Sequence, residues 1–248
     1  MPTSAEDILK LASPWTAPIS DAQPGGVKAS EDERYLAVTT EIAKLDSPAA
    51  TIDWRNLWRT IINSGAELLQ EKSKDFLVAT YVAYAMYRQE NLKGLVKGTA
   101  LLTGLIENFW PTMFPEAKRI KGRANALQWY IEKTVQHLKE HKVTPADRVP
   151  LEDLQTIAKR LNSSARDKFG DACPAINPLT DTVKNMLFDA GPSQEELDRQ
   201  RADEEARQRE DQQRAQEEEQ RRQQEEEQRR QQEEARRQRE QAAAPPPP

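Results

Sequence analysis

Apolar residues recur every three to four positions through roughly the first 190 residues, and that spacing predicts one amphipathic helix after another. Ser30 and Glu33 read as a capping box ahead of Leu36, Val38, Ile42 and Leu45. Trp54, Leu57, Trp58, Ile61, Ile62, Leu68 and Leu69 fall on one face of the next helix. Ser73 reads as the N-cap of the helix that follows, with Asp75 placed where the helix dipole favours an anion. Residues 76–87 are apolar nearly all round, as a central helix would be. Residues 91–94 read as a helix-to-helix turn. Gly94 and Gly98 then stand one turn apart and predict close approach of a neighbouring helix, since each costs roughly 1 kcal/mol of helix propensity. Leu101, Leu102, Leu105 and Ile106 carry that helix on until Pro111 stops it after Phe109 and Trp110. Further helices are expected over 124–138, with Leu127, Ile131 and Leu138 inward, and through Leu151, Leu154, Ile157, Ala158 and Leu161, after a cap-and-first-turn signal at Thr144-Pro145. A short helix opens at Asn177-Pro178, carries Leu179, Val183, Met186 and Leu187, and closes at Gly191. No run of alternating apolar residues predicts a sheet. The expected fold class is all-α, a multi-helix globular domain over residues 1–192 with about eight helices.

The pattern changes at Ser193. Ser193 and Glu196 form a capping box, and after Leu197 the chain has no Val, Ile, Leu, Met, Phe, Trp or Tyr. Residues 216–223 read QEEEQRRQ and 224–231 repeat the octet. Glu217 and Arg221, Glu218 and Arg222, Glu225 and Arg229, and Glu226 and Arg230 stand four apart with the acid first, the favoured order, at about 0.2–0.5 kcal/mol per pair. Without apolar a and d positions a coiled coil is disfavoured. Residues 193–241 are therefore expected to form a solvated, Glu/Gln/Arg-rich helical spacer of roughly 70 Å, and residues 242–248 a stiff Ala/Pro linker.

Charge sharpens this division. The net charge is -5, and 24 acidic residues balance 24 basic ones before Ser193, while 17 acids face 12 arginines after it. Neither part has the basic field of a generic nucleic-acid binder. A single cysteine, Cys173, allows no internal disulfide and fits a reducing, cytoplasmic compartment. Residues 1–15 lack the basic-then-apolar pattern of a secretory signal. No stretch reaches the ~20 apolar residues that span a bilayer.

Candidate chemistry is sparse. His137 and His141 stand four apart on one predicted helix and could share a metal, the basis of a metal-dependent enzyme as an outside alternative. No third histidine exists, though, and Cys173 lies in another segment. Neither a phosphate-binding glycine loop nor an acid–base constellation is present, so no catalytic, cofactor-binding or metal residue is assigned. Lys118, Arg119, Lys121 and Arg123 make the densest basic run of the body and the candidate contact for an acidic partner. Trp54, Trp58, Trp110 and Trp129 read as core residues. A general cytosolic adaptor whose charged helix is the working part remains the main alternative.

One set of residues carries a resemblance. Asp53-Trp54, Leu68-Leu69, Lys72-Ser73-Lys74-Asp75, Gly94-Leu95, Gly98, the turn Phe109-Trp110-Pro111 with Phe114-Pro115, then Arg123 to Leu127 and Trp129 resemble, in order and spacing, the N-terminal domain of the ImpA/TssA family of type VI secretion proteins. Pro18-Ile19-Ser20 and Pro24-Gly25-Gly26 resemble its start, with Val27-Lys28 in place of an acidic pair. The resemblance covers about 15–190. It implies an all-α, non-enzymatic component that contacts baseplate, sheath, tube or membrane-complex proteins and helps to coordinate their assembly. It also implies that ring formation belongs to C-terminal domains beyond this chain, to which the Ala/Pro tract would link. Residues 72–75 read physically as a helix-capping element.

Overall fold

The computed structural model describes residues 3–46 and 51–242 and resolves into two compact units, Met1–Gly191 and Pro192–Pro248. The Ala/Pro tract from 243 onward lies outside the described residues. Among the described residues there are nine α-helices and no strand. Those of the first unit are α1 (Ala5–Lys10), α2 (Ser13–Thr16), α3 (Glu33–Ala43), α4 (Trp54–Glu71), α5 (Phe76–Phe109), α6 (Ile120–Leu138), α7 (Arg148–Phe169) and α8 (Asn177–Asp189).

The core is organised around α5, which packs against α1, α3, α4, α6 and α7. It is two helical arms, not one rod. Asn91 has φ 54 and ψ -141 inside it, and the chain reverses there, on the turn that the sequence predicts over 91–94. A Cβ on Gly94 would stand 2.0 Å from the Met86 carbonyl oxygen, and one on Gly98 would stand 2.7 Å from that of Ala83. The arms 76–90 and 92–109 therefore lie antiparallel with their backbones almost touching, which only glycine permits on the inner line. Both arms are buried nearly all round.

The other helices bury one face each against this hairpin. Leu57, Trp58, Ile61, Leu68 and Leu69 of α4 are buried, as are Leu127, Ile131 and Leu138 of α6, the five predicted positions of α7, and Leu179, Val183, Met186 and Leu187 of α8. Inside, the Thr99 hydroxyl meets the hydroxyl of the fully buried Tyr130 at 3.0 Å, so the one polar end of that ring is satisfied. The caps depart from expectation in two places. Asp32, not Ser30, caps α3 by accepting from the Arg34 amide at 3.0 Å, and Glu33 is already helical. Asp75, not Ser73, caps α5 by accepting from the Val78 amide at 3.1 Å. In both cases a carboxylate one or two residues nearer the helix reaches the free amides first. Trp54 also departs from the core reading: it is 48% exposed, and so is Leu36 at 50%.

In the second unit α9 (Gln194–Ala242) begins at a Ser193/Glu196 box, with the Glu196 amide donating to the Ser193 hydroxyl at 3.1 Å and the Ser193 amide to Glu196 at 2.7 Å. Its acid–arginine pairs extend into ladders. Glu210, Arg214, Glu218, Arg222, Glu226, Arg230 and Glu234 alternate in sign at steps of four, and Glu217, Arg221, Glu225, Arg229 and Glu233 do the same. Arg222 contacts Glu218 at 2.9 Å and Arg221 contacts Glu225 at 3.7 Å, all highly exposed. Each arginine thus has an acid one turn before it and one turn after it, and the helix is supported along its own surface.

Candidate functional site

Several of the residues that carry the resemblance, Gly25-Gly26, Lys72–Asp75, the Trp110–Pro115 turn and Arg123, come together where three loops meet. Lys72–Asp75 runs extended between α4 and α5. On one side the Lys74 amide donates to the Gly25 carbonyl at 2.8 Å and the Val27 amide to the Lys72 carbonyl at 3.0 Å. On the other side the Phe114 amide donates to the Lys74 carbonyl at 2.9 Å and the Phe76 amide to the Phe114 carbonyl at 2.6 Å. Gly26 has φ 72, and a Cβ on Gly25 would lie 2.1 Å from the Thr112 carbonyl oxygen, so the Gly-Gly pair is what lets the first loop lie flat on the other two.

Two buried cations lock this junction. The Lys74 ammonium donates to the carbonyls of Trp15, at 2.8 Å, and Leu69, and sits 5.4 Å from the Phe109 ring centroid. The Arg123 guanidinium donates to the carbonyls of Pro115, Trp110 and Met113, each at 2.6 Å, and stacks 4.6 Å over the Trp110 ring. Leu69 lies in the last turn of α4, and Trp110 and Met113 lie just past the end of α5. Each cation therefore satisfies carbonyls that a helix end leaves unpaired, at the negative pole of its dipole. Burial pushes the Lys74 ammonium down to about 8 and the Asp75 carboxyl up to about 6, the latter against the amide bonds that favour its charged form. Ser73 is buried and its hydroxyl has no partner among the described residues. The junction is a structural joint: both of its cations and the Asp75 carboxylate are engaged with backbone.

The basic run divides. Lys118, Arg119 and Lys121 are exposed at the entry to α6, with Lys118 reaching Glu116 at 3.4 Å. Arg123 does not belong with them. It is fully buried, because three carbonyls of the Trp110–Pro115 turn close around it, and it cannot contact a partner. The sequence placed it in the patch because spacing alone cannot tell an inward arginine from an outward one.

His137 and His141 turn to different partners, Glu140 at 3.4 Å and Asp147 at 3.2 Å. The His137 ring also lies edge-on to Tyr87, and burial holds its pKa below the usual histidine range. No group of three or more metal-ligating side chains forms among the described residues. Cys173 is half-buried, with burial pushing its thiol up, away from the reactive thiolate.

Residues 16–132 match the family model described as ImpA, N-terminal, type VI secretion system. That stretch is similar to the ImpA N-terminal region of type VI secretion systems. The match contains the junction apart from Trp15, from Arg123 and Trp110 back to Gly25, and ends within α6; helices α7 to α9 lie outside it. The resemblance read over 15–190 is thus narrower as a family match. Likeness of fold reaches further. The N-terminal domain including the conserved ImpA_N region of the TssA component of the type VI secretion system from Burkholderia cenocepacia superposes with a TM-score of 0.52 at 18% identity, covering 77% of this chain and 95% of that one. No curated protein sequence matches the chain. No helix among the described residues is long and apolar enough to cross a membrane.

Sequence reasoning passed over one feature at the opposite end of α4. Trp54, half-exposed, stacks on Trp58 at 6.0 Å, and the Arg88 guanidinium lies 5.1 Å over the Trp58 ring and 5.9 Å over that of Tyr84. The aromatic pattern from Trp54 through Tyr84 to Trp129 was legible as core, but the lone Arg88 at the end of an apolar helix carried no signal of its own.

Proposed function

We propose that this chain is a non-enzymatic, cytoplasmic assembly component of a type VI secretion system, in which the helical body docks on a protein of the machine and α9 holds that body at a set distance from what lies beyond. The ImpA match over residues 16–132 carries this reading. The docked protein belongs to the baseplate, sheath, tube or membrane complex, and the body helps to bring such parts together. The architecture supports a scaffold. The motif residues are spent on joining loops, and His137, His141 and Cys173 each have a local structural environment. A helix of 49 residues supported by its own ion pairs reaches roughly 70 Å without a partner strand. Lys118, Arg119 and Lys121 are an accessible contact for an acidic patch on the docked protein.

The test is affinity capture of the tagged full chain from a native lysate of a secretion-competent cell. Enrichment of baseplate, sheath, tube or membrane-complex proteins is the expected result. Clean recovery of unrelated proteins by a folded bait would contradict the reading and favour a general adaptor.

A further inference from the structure

The Trp54 face sets a half-exposed aromatic ring beside a cation that no carboxylate pairs with among the described residues. Two clefts, of about 240 and 350 Å³, lie on either side of Trp54 and share Arg88 in their walls. Leu45, Tyr84 and His137 line the first, and Arg55 and Gln89 the second. Each is large enough for one or two side chains.

The charges at this face are mainly positive. Arg55, Arg88 and Lys133 stand against Glu140, and Asp46 approaches Lys133 at 3.7 Å. Arg88 is the centre. Its guanidinium is held flat on Trp58 and Tyr84, and its one hydrogen bond goes to the Tyr84 hydroxyl at 3.2 Å. Among the described residues no carboxylate pairs with it. An arginine fixed in orientation by aromatic stacking, with most of its N–H fork unused, is prepared for a planar anion. Beside it the Trp54 ring, backed by Trp58, offers an apolar surface of the kind that anchors a protein contact. Lys74 and Arg123 are buried on carbonyls, whereas Arg88 is only partly buried and lines both clefts.

We propose that the Trp54–Arg88 face is a docking site for an acidic segment of a partner protein, an apolar side chain lying on Trp54 and a neighbouring carboxylate on Arg88. This deepens the scaffold reading by naming a docking surface. The spacing of the two anchors fits adjacent side chains of an extended strand or one turn of a helix. It does not fit nucleic acid, since two or three cations beside Glu140 make no track for a phosphate backbone.

Fluorescence polarisation with labelled peptides tests it on the full chain. Three eight-residue probes are used: alternating Asp and Leu, its Asn-for-Asp counterpart, and alternating Asp and Ser. The Asp-Leu peptide should bind at least ~10-fold more tightly than either of the others, the scale of one charged hydrogen-bonded pair or one apolar anchor. Arg88→Gln and Trp54→Ala should each lose at least ~10-fold for that peptide. Arg88→Lys should recover part of the charge contribution, and Lys159→Gln, at an exposed cation of α7, should leave binding unchanged. Thermal melts of each variant separate lost binding from lost folding. Equal binding of the Asp-Leu and Asn-Leu peptides, or an Asp-Leu affinity insensitive to Arg88→Gln and Trp54→Ala in folded protein, would overturn the assignment. Capture of secretion proteins from lysate alongside such a result would show the groove alone to be misassigned, with the docking body intact.

Discussion

The hairpin of α5 and the long helix α9 are built from opposite materials and fail in opposite ways. The hairpin is apolar nearly all round, and its arms touch through Gly94 and Gly98. It is stable only because α4, α6 and α7 cover it, so burial, packing and the satisfaction of helix ends decide its fate. Helix α9 has no apolar residue larger than alanine beyond Leu197, and its support is a series of exposed pairs one turn apart. The first is insensitive to salt and intolerant of volume. The second is tolerant of volume and sensitive to salt. A helix in this chain therefore has no single explanation, and variants that separate the two kinds of support test the contrast.

The largest effect is expected at Arg123. Arg123→Met keeps the stem and removes the donors, leaving the carbonyls of Trp110, Met113 and Pro115 buried without partners. About 3–5 kcal/mol of stability should be lost, as when one partner of a buried charged contact is deleted. Urea unfolding of the full chain measures it. A loss below about 1 kcal/mol would mean that the turn satisfies its carbonyls otherwise. Next comes Gly98→Leu, which drives a side chain into the Ala83 backbone and should cost about 1–3 kcal/mol or more. The melt should show the body unfolding earlier while the helical signal of α9 persists.

Asp75 sharpens the contrast through pH. Its carboxyl is raised from the ordinary 3.8 to about 6, so the folded state holds its proton more tightly than the unfolded chain does. The stability this contributes is present below about pH 4 and is lost as pH rises through about 6. Lys74, lowered from 10.5 to about 8, acts in the other direction: its contribution appears above about 10.5 and is lost as pH falls through about 8. Asp75→Asn, which keeps a capping acceptor, should remove the decline in stability between pH 4 and 6 that urea titrations of the parent chain would show. An unchanged slope would place the proton elsewhere. The smallest effect per site belongs to α9. Each ladder pair is worth about 0.2–0.5 kcal/mol, so Glu218→Gln and Glu226→Gln together should lower the far-UV helical signal slightly, and 1 M salt should lower it more. The cooperative transition of the body should not move.

Much of the fold was legible because periodicity and punctuation are local. The reversal at Asn91, the stop at Pro111, the close approach of Gly94 and Gly98 and the opening at Asn177-Pro178 were all written in short stretches, and the structure has each of them. The caps at Ser30 and Ser73 were misread because Asp32 and Asp75 lie within reach of the same amides, and only backbone geometry chooses between the acceptors. Arg123 was misread because its three acceptors come from a turn that begins 13 residues earlier, and a tertiary contact of that kind has no pattern in one dimension. Trp54 was read as core by its spacing, yet it stands at the first residue of α4, where that face runs past the edge of the hairpin. The junction of residues 72–75 with the Gly-Gly and Phe-Trp-Pro loops was visible as a set of resembling motifs, and its physical reason became visible only when the loops were seen to share hydrogen bonds.

Whether the body or the charged helix makes the partner contact is the question on which the functional reading turns. Affinity capture from a native lysate should be run in parallel with the full chain and with a chain ending at Pro192, each shown to be folded by its thermal melt. Recovery of the same baseplate, sheath, tube or membrane-complex proteins by both is the expected result, since the body has its own core and holds residues 16–132, which match the ImpA N-terminal model. Recovery by the full chain alone would contradict it and make α9 the binding element.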